Sequence, residues 1–182
     1  MWITPKDMGK LKSIYVIDTY RKITNEGLKN SSAKILPANS IILSSRAPIG
    51  HLAINIKPIS TNQGCKGLVP HKKLSTLFLY YFLLNSIDLL ISLGTGTTFK
   101  ELSGSKLALV EIPLPSLAEQ HTIIQKLDLL STECKKLKVI YQKKIKDLEE
   151  LKKSILQKAF SGELNTTKAS NIPKDKHYKI NV

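Results

Sequence analysis

The rhythm of apolar and polar positions changes twice along this 182-residue chain. Between Lys34 and Pro70 apolar residues come in short β-rich runs: Ile35-Leu36, Ile41-Ile42-Leu43, Leu52-Ala53-Ile54-Asn55-Ile56 and Gly67-Leu68-Val69. Turn residues such as Pro37-Ala38-Asn39 and Ala47-Pro48-Ile49-Gly50 part them. Links this short cannot hold the crossover helices that parallel pairing requires, so the runs predict a small, twisted, mostly antiparallel sheet. From Ser75 to Leu93 the chain is almost continuously apolar, which predicts a helix covering one face of that sheet. Ser13 to Ile17 reads as a further strand and Lys106 to Ile112 as a last one, while Thr24 suits the cap of a short helical turn ending near Gly27.

From Leu117 the period becomes helical and stays so to about Gly162. Ser116 can accept from the amide of Glu119 while Glu119 reaches back to the amide of Ser116, and Pro115 bars an earlier start. A seam at alternating steps of three and four runs through Leu127, Leu130, Cys134, Leu137, Tyr141, Lys144, Leu148, Leu151, Ile155 and Lys158. Such a stripe is buried against another helix in a coiled coil. Gly162 suits the left-handed residue that ends a helix. Beyond it no apolar periodicity remains, and a disordered tail is expected. The expected plan is therefore an α/β (α+β) domain over 1–112, a long coiled-coil helix over 113–164 and a polar tail over 165–182.

A formal net charge of +14 and a pI near 9.7 accompany a hydrophobic share of 42%, that of a folded protein and not of a basic tail. A polyanionic partner accounts for this. Lysines between Lys135 and Lys158 also serve as the solvated face of a helix, but that reading accounts less well for Lys6, Lys10, Lys12, Arg21, Lys22, Lys29 and Lys34. Cys65 and Cys134 stand far apart without CxxC spacing, so no disulfide framework is expected and a reducing cytoplasm fits. The first residues lack the features of a signal peptide. The apolar window Leu77–Leu93 is too short for a bilayer and carries Asn85, Ser86 and Asp88, so no membrane span is expected.

Catalytic signals are sparse. Gly94-Thr95-Gly96 lacks the third glycine of a dinucleotide fingerprint and follows a helix, and no Gly-Lys-Ser/Thr phosphate loop occurs. His51, His71, His121 and His177 have no metal-ligand spacing, and acidic residues are scarce before the long helix. No metal, no cofactor and no catalytic residue are expected.

Ile112-Pro113-Leu114-Pro115 leading into Leu117-Ala118-Glu119-Gln120, with Lys153-Ser154-Ile155-Leu156-Gln157-Lys158-Ala159-Phe160-Ser161-Gly162-Glu163-Leu164 at the far end, resembles the conserved region of type I restriction–modification specificity subunits. Ser44-Ser45-Arg46-Ala47-Pro48-Ile49-Gly50 resembles a serine-arginine-alanine-isoleucine-glycine element of that family's recognition domains, and Thr61-Asn62-Gln63-Gly64 its threonine-asparagine-glutamine-glycine element. The resemblance implies a non-catalytic component that chooses the DNA sequence for methyltransferase and restriction subunits. In the family, two target-recognition domains are separated by paired helices that also hold the methyltransferase. This chain shows one domain, one helix and no internal repeat, so a second copy or another specificity protein is expected to supply the partner helix. At about 1.5 Å per residue the helix would span close to two turns of duplex DNA. An antiparallel homodimer would then imply a palindromic bipartite site.

Candidate DNA-binding residues are Lys6, Lys10, Lys12, Arg46, Lys66, Thr97, Thr98 and Lys100. Arg46 either meets guanine or a phosphate, or braces its turn through backbone carbonyls. The amides of Asn62 and Gln63 suit either base edges or a self-satisfied loop. Family domains begin some tens of residues before an element like Trp2-Ile3-Thr4-Pro5-Lys6-Asp7, so a domain truncated at its front edge is expected. Two other readings stay open: a basic coiled-coil oligomerisation or adaptor protein, and the detached recognition domain of a single-chain restriction–methyltransferase.

Overall fold

The computed structural model describes residues 1–97 and 100–164. The expected disordered tail, 165–182, and Thr98 lie outside the described residues. Seven strands and six helices follow in the order β1 (Trp2–Ile3), α1 (Pro5–Met8), β2 (Tyr15–Val16), α2 (Asn25–Lys29), β3 (Ile35–Leu36), β4 (Ile41–Ser45), β5 (Ile49–Asn55), β6 (Ile59–Thr61), β7 (Cys65–Leu68), α3 (Thr76–Asn85), α4 (Ile87–Leu93), α5 (Gly104–Leu107) and α6 (Leu117–Phe160) among those residues. The α+β class is as expected, with two mixed sheets in place of one: β1-β6-β3 and β2-β5-β4-β7.

The short link between β4 and β5 does give an antiparallel pair, and β4 with β7 and β3 with β6 also pair antiparallel, each across two intervening strands. The parallel pairs, β1 with β6 and β2 with β5, use N-terminal segments distant in sequence, to which the short-link argument does not apply. The chain changes sheets at Lys57-Pro58, where proline has no amide to continue the ladder. Asn55 organises this corner from a fully buried position: its Oδ1 accepts from the amide of Ser40 at 3.0 Å, and its Nδ2 donates to the carbonyls of Pro37 at 2.7 Å and Lys57 at 2.8 Å.

Strand β4 is buried on both faces, which is why its sequence reads as a continuous apolar run and not an alternation. Ile41 and Leu43 join Ile49, Ile54, Leu79, Tyr80, Leu83, Leu90 and Leu102 in one core cluster. Ile42 points the other way, into a second cluster with Ile3, Met8, Val16, Ala53, Ile59 and Cys65.

The covering helix over 75–93 is broken at Ser86 into α3 and α4, bent by 68°. Ser86 Oγ donates to the carbonyl of Phe82 at 2.8 Å, a side-chain bond that competes with helix continuation, and the bend lets both halves pack on β5. Among the described residues no single helix is long and apolar enough to cross a membrane, and this bent pair buries Phe78, Leu79, Tyr80, Leu83 and Leu90 in the first cluster and beside it.

The expected strand over 106–112 is not formed. Ser103 Oγ instead accepts from the amide of Lys106 at 3.2 Å and caps α5, and Pro113 and Pro115 follow an irregular stretch whose Leu107, Val110 and Ile112 still pack on the first cluster. Thr24 caps α2 as expected, accepting from the amide of Gly27 at 2.9 Å.

Two compact units result: Met1–Asp128, which takes in the first turns of α6, and Leu129–Val182. The first unit thus extends past residue 112 because those turns are packed. Gln120 is fully buried there and Ile124 nearly so.

Candidate nucleic-acid interface

Strand β7 brings Cys65 opposite Ser44, and the amide of Ser45 donates to the carbonyl of Gly64 at 2.8 Å. This register sets Arg46, at the end of β4, near Lys66. Between them comes Glu101, whose backbone exchanges two bonds with Thr95, at 3.0 and 2.8 Å, while the amide of Leu102 donates to Ser45 at 2.9 Å. Arg46 Nη1 lies 3.6 Å and Lys66 Nζ 3.9 Å from the Glu101 carboxylate. All three side chains are partly exposed, so these are loose, water-screened pairs.

Among the described residues Arg46 pairs with Glu101 and makes no hydrogen bond to a carbonyl of its turn. Ser44 holds the turn instead, its Oγ donating to the carbonyl of Pro48 at 2.8 Å and accepting from the amide of His51 at 2.7 Å. The bond pair at Thr95 and Glu101 closes the base of the glycine-bearing loop, on which Thr97 and Lys100 are exposed. Four sequence candidates, Arg46, Lys66, Thr97 and Lys100, are thus carried by this junction and the loop it closes.

Lys6, Lys10 and Lys12 lie apart from this junction, exposed on α1 and just after it. A Cβ on Gly64 would meet Pro5 Cγ at 3.0 Å and Arg46 Nε at 3.2 Å, so α1 abuts the junction through Pro5. Lys10 lines a cleft of about 470 Å³ with Asp7, Leu11, Asp18, Thr19 and Tyr20. That cleft is mixed in charge. Burial pulls the Asp7 carboxyl up, but bonds from the Thr4 hydroxyl and amide and the nearby Arg21 guanidinium, 3.6 Å away, leave it below the usual range. The bond from Lys22 likewise holds Asp18 down.

A second cleft, of about 410 Å³, is lined by Trp2, Ser31, Ser32, Lys34, Thr61, Asn62, Gln63 and Lys66, with Leu36, Cys65 and Gly67 among its other wall residues. Asn62 Oδ1 accepts from the amide of Gly64 at 3.1 Å, which makes it a self-satisfied turn residue, whereas Gln63 is exposed and has no hydrogen bond among the described residues. The two amides of one short motif therefore differ in role.

No group of His, Cys, Asp and Glu among the described residues has the makeup of a metal site. Cys65 lies 3.6 Å from Met8 Sδ, and burial pushes its thiol up to about 12, far from a nucleophilic thiolate.

The long helix leaves the first unit through a hydrogen-bonded clasp. Glu119 Oε2 accepts from the amide of Ser116 at 2.9 Å and its own amide donates to Ser116 Oγ at 3.3 Å, the expected capping box. No sequence pattern marks Gln120 as more than a polar position of the first turn. Its Oε1 accepts from the amide of Ser75 at 2.8 Å, and its Nε2 donates to the carbonyls of Lys73 and Pro115, each at 2.9 Å. One turn on, Ile124 is buried, and at the next Tyr81 donates to Asp128. The spacing 120, 124, 128 is a helix face that polar identity hid from a hydrophobic scan.

On the seam, Leu127 is half-buried within the first unit. In the second unit Leu130, Cys134, Leu137, Tyr141, Leu148, Leu151 and Ile155 are exposed, along with Lys144 and Lys158. Gly162, at φ 76°, supplies the left-handed turn that ends α6, and the amides of Glu163 and Leu164 donate back to Lys158.

A mixed-sheet domain with a clasped, solvent-facing helix and cationic loops defines the general class, a basic α+β module. The sequence matches the family model described as the type I restriction modification DNA specificity domain over residues 1–150, and the chain belongs to that family. It is 42% identical over 124 residues to the type I restriction enzyme MjaIX specificity subunit of Methanocaldococcus jannaschii, covering 67% of this chain and 29% of that one. With a type I restriction enzyme specificity subunit of Escherichia coli it shares 33% identity over 138 residues, 72% of this chain and 33% of that one. Among solved structures, the HsdS subunit of Thermoanaerobacter tengcongensis superposes with a TM-score of 0.62 at 26% identity, covering 90% of this chain and 37% of that one. The chain thus spans about a third of the length of the curated relatives it matches.

Proposed function

We propose that this chain is a non-catalytic DNA-specificity component of a type I restriction–modification system, acting in the cytoplasm. Residues 1–128 bind one half of a bipartite site in double-stranded DNA. The helix beyond pairs with a second copy or with another specificity protein, and the paired helices dock methyltransferase and restriction subunits. The family match over 1–150 is the observation that carries this reading. The net charge of +14 and the exposed apolar seam support its two physical requirements, a polyanionic partner and a partner helix.

Selection of bound duplexes from a random pool tests the specificity directly. The chain, produced with its neighbouring methyltransferase subunit, should enrich one motif, and unlabelled DNA bearing that motif should compete far better than unrelated DNA. Equal competition by the two would instead identify the basic adaptor.

A further inference from the structure

The cleft of about 410 Å³ and the cleft beside Lys10 differ in the chemistry of their walls. Asp7 and Asp18 stand in the wall beside Lys10. Among the described residues no carboxylate lines the other, whose wall includes Lys34, Lys66, Ser31, Ser32, Gln63 and Trp2. Among the described residues, the side chains of Trp2, Ser32, Lys34 and Gln63 make no hydrogen bond or ion pair. Lys66 has one loose counterion, Glu101, 3.9 Å away and partly exposed.

The frame behind these donors is fixed. The amide of Trp2 donates to Thr19 Oγ1 at 3.1 Å and to the carbonyl of Arg21 at 3.1 Å. Asn62 locks the turn before β7, and β7 passes so close to Leu36 that a Cβ on Gly67 would lie 2.3 Å from its Cδ2. An open, cation-lined groove on a hydrogen-bonded frame suits the convex sugar–phosphate ridge of a duplex. Base readout would call for paired donors and acceptors, and of the two amides in this wall Asn62 spends its oxygen on the amide of Gly64, which leaves Gln63 alone for that task beside two cations suited to phosphates.

We infer that this cleft seats phosphodiester groups of duplex DNA, with Lys34 and Lys66 as the cationic contacts and Ser32, Gln63 and the Trp2 indole as neutral donors. It sets the register of the domain on the strand and reads no base. The inference rests on the DNA-binding reading above and assigns that reading a surface.

The test uses the full chain with Lys34→Gln, Lys66→Gln and the double variant, titrated with two fluorescent duplexes over a salt series. One duplex carries the motif selected by the wild type and the other is scrambled. Each neutralisation should weaken both duplexes to the same degree, by roughly tenfold, and reduce the salt slope by about one unit, while Lys34→Arg and Lys66→Arg keep the slope. Replacing single phosphates with methylphosphonates should weaken the wild type and leave the double variant unaffected at the same positions. Unchanged affinity and slope in the double variant, with its thermal unfolding intact, would overturn the inference. So would relaxation of a single motif position, the signature of a base reader. If the wild type binds neither duplex in a salt-dependent way, the DNA-binding reading falls and takes this one with it.

Discussion

Glu101 decides how much positive charge the junction shows to solvent, because Arg46 and Lys66 both reach its carboxylate. Replacing it with glutamine leaves the backbone pairing with Thr95 in place and releases both cations. Glu101→Gln should therefore bind duplex DNA more tightly whatever its sequence, with a steeper salt dependence. Unchanged binding would mean that neither Arg46 nor Lys66 meets the duplex. The two cysteines should separate cleanly under alkylation near neutral pH. Cys134 is exposed along an unpaired α6, whereas Cys65 is buried with its thiol pushed up to about 12, so at dilutions where the seam is unpaired intact-mass measurement should find one adduct, at Cys134. Rapid modification of Cys65 in the folded chain would contradict the packing around Met8.

The clasp at the start of α6 is where element-scale energetics are most exposed to test. Gln120→Met keeps the volume but leaves the amide of Ser75 and the carbonyls of Lys73 and Pro115 without the partners they have now. Buried polar groups stripped of their partner are expensive, and a loss of about 2–4 kcal/mol in unfolding free energy is expected in denaturant titration. Ser116→Ala removes the cap and should cost about 1 kcal/mol. Bonds from the Ser116 hydroxyl and amide hold the Glu119 carboxyl below its usual range. A depressed carboxyl stabilises the fold above its unfolded pKa, and that share is lost as the pH falls through the lowered value. The stability gap between wild type and Ser116→Ala should accordingly narrow in acid. A gap that widened would contradict the assigned bond.

These elements also mark what the chain discloses as a string. The capping box at Ser116 and Glu119, the Thr24 cap and the stop at Gly162 are local, set by residues within one turn, and they are found where sequence places them. Strand β4 betrays its double burial through Ile41-Ile42-Leu43. Non-local choices leave no such trace. The break at Ser86 depends on how two half-helices wrap β5, and the segment after Lys106 has strand-like apolar residues that pack without a ladder partner. Among the candidate residues, Arg46 and Lys66 are legible as cations, but their shared counterion comes from a loop more than thirty positions further on. Gln120 sits inside a recognisable motif, and only the tertiary carbonyls around it show its task.

For the molecule as a whole, the unresolved demand is the seam. Leu137, Leu148 and Leu151 are each about half exposed, an arrangement that apolar side chains at heptad spacing do not keep in water when a partner is present. Leu137→Asp combined with Leu148→Asp should abolish self-association or capture of a second specificity protein in sedimentation velocity, while the circular dichroism of the first unit persists. Assembly unaffected by both charges would leave the seam without its proposed role. The central claim, that this chain chooses a DNA sequence, is tested most directly by base-resolution methylation mapping in cells carrying the neighbouring methyltransferase subunit, with and without this chain. A bipartite methylated motif that appears only with the chain is the expected result, with identical inverted halves for a homodimer and unlike halves for a mixed pair. Absence of any new motif, where the same methyltransferase methylates DNA with an intact specificity subunit, would contradict it.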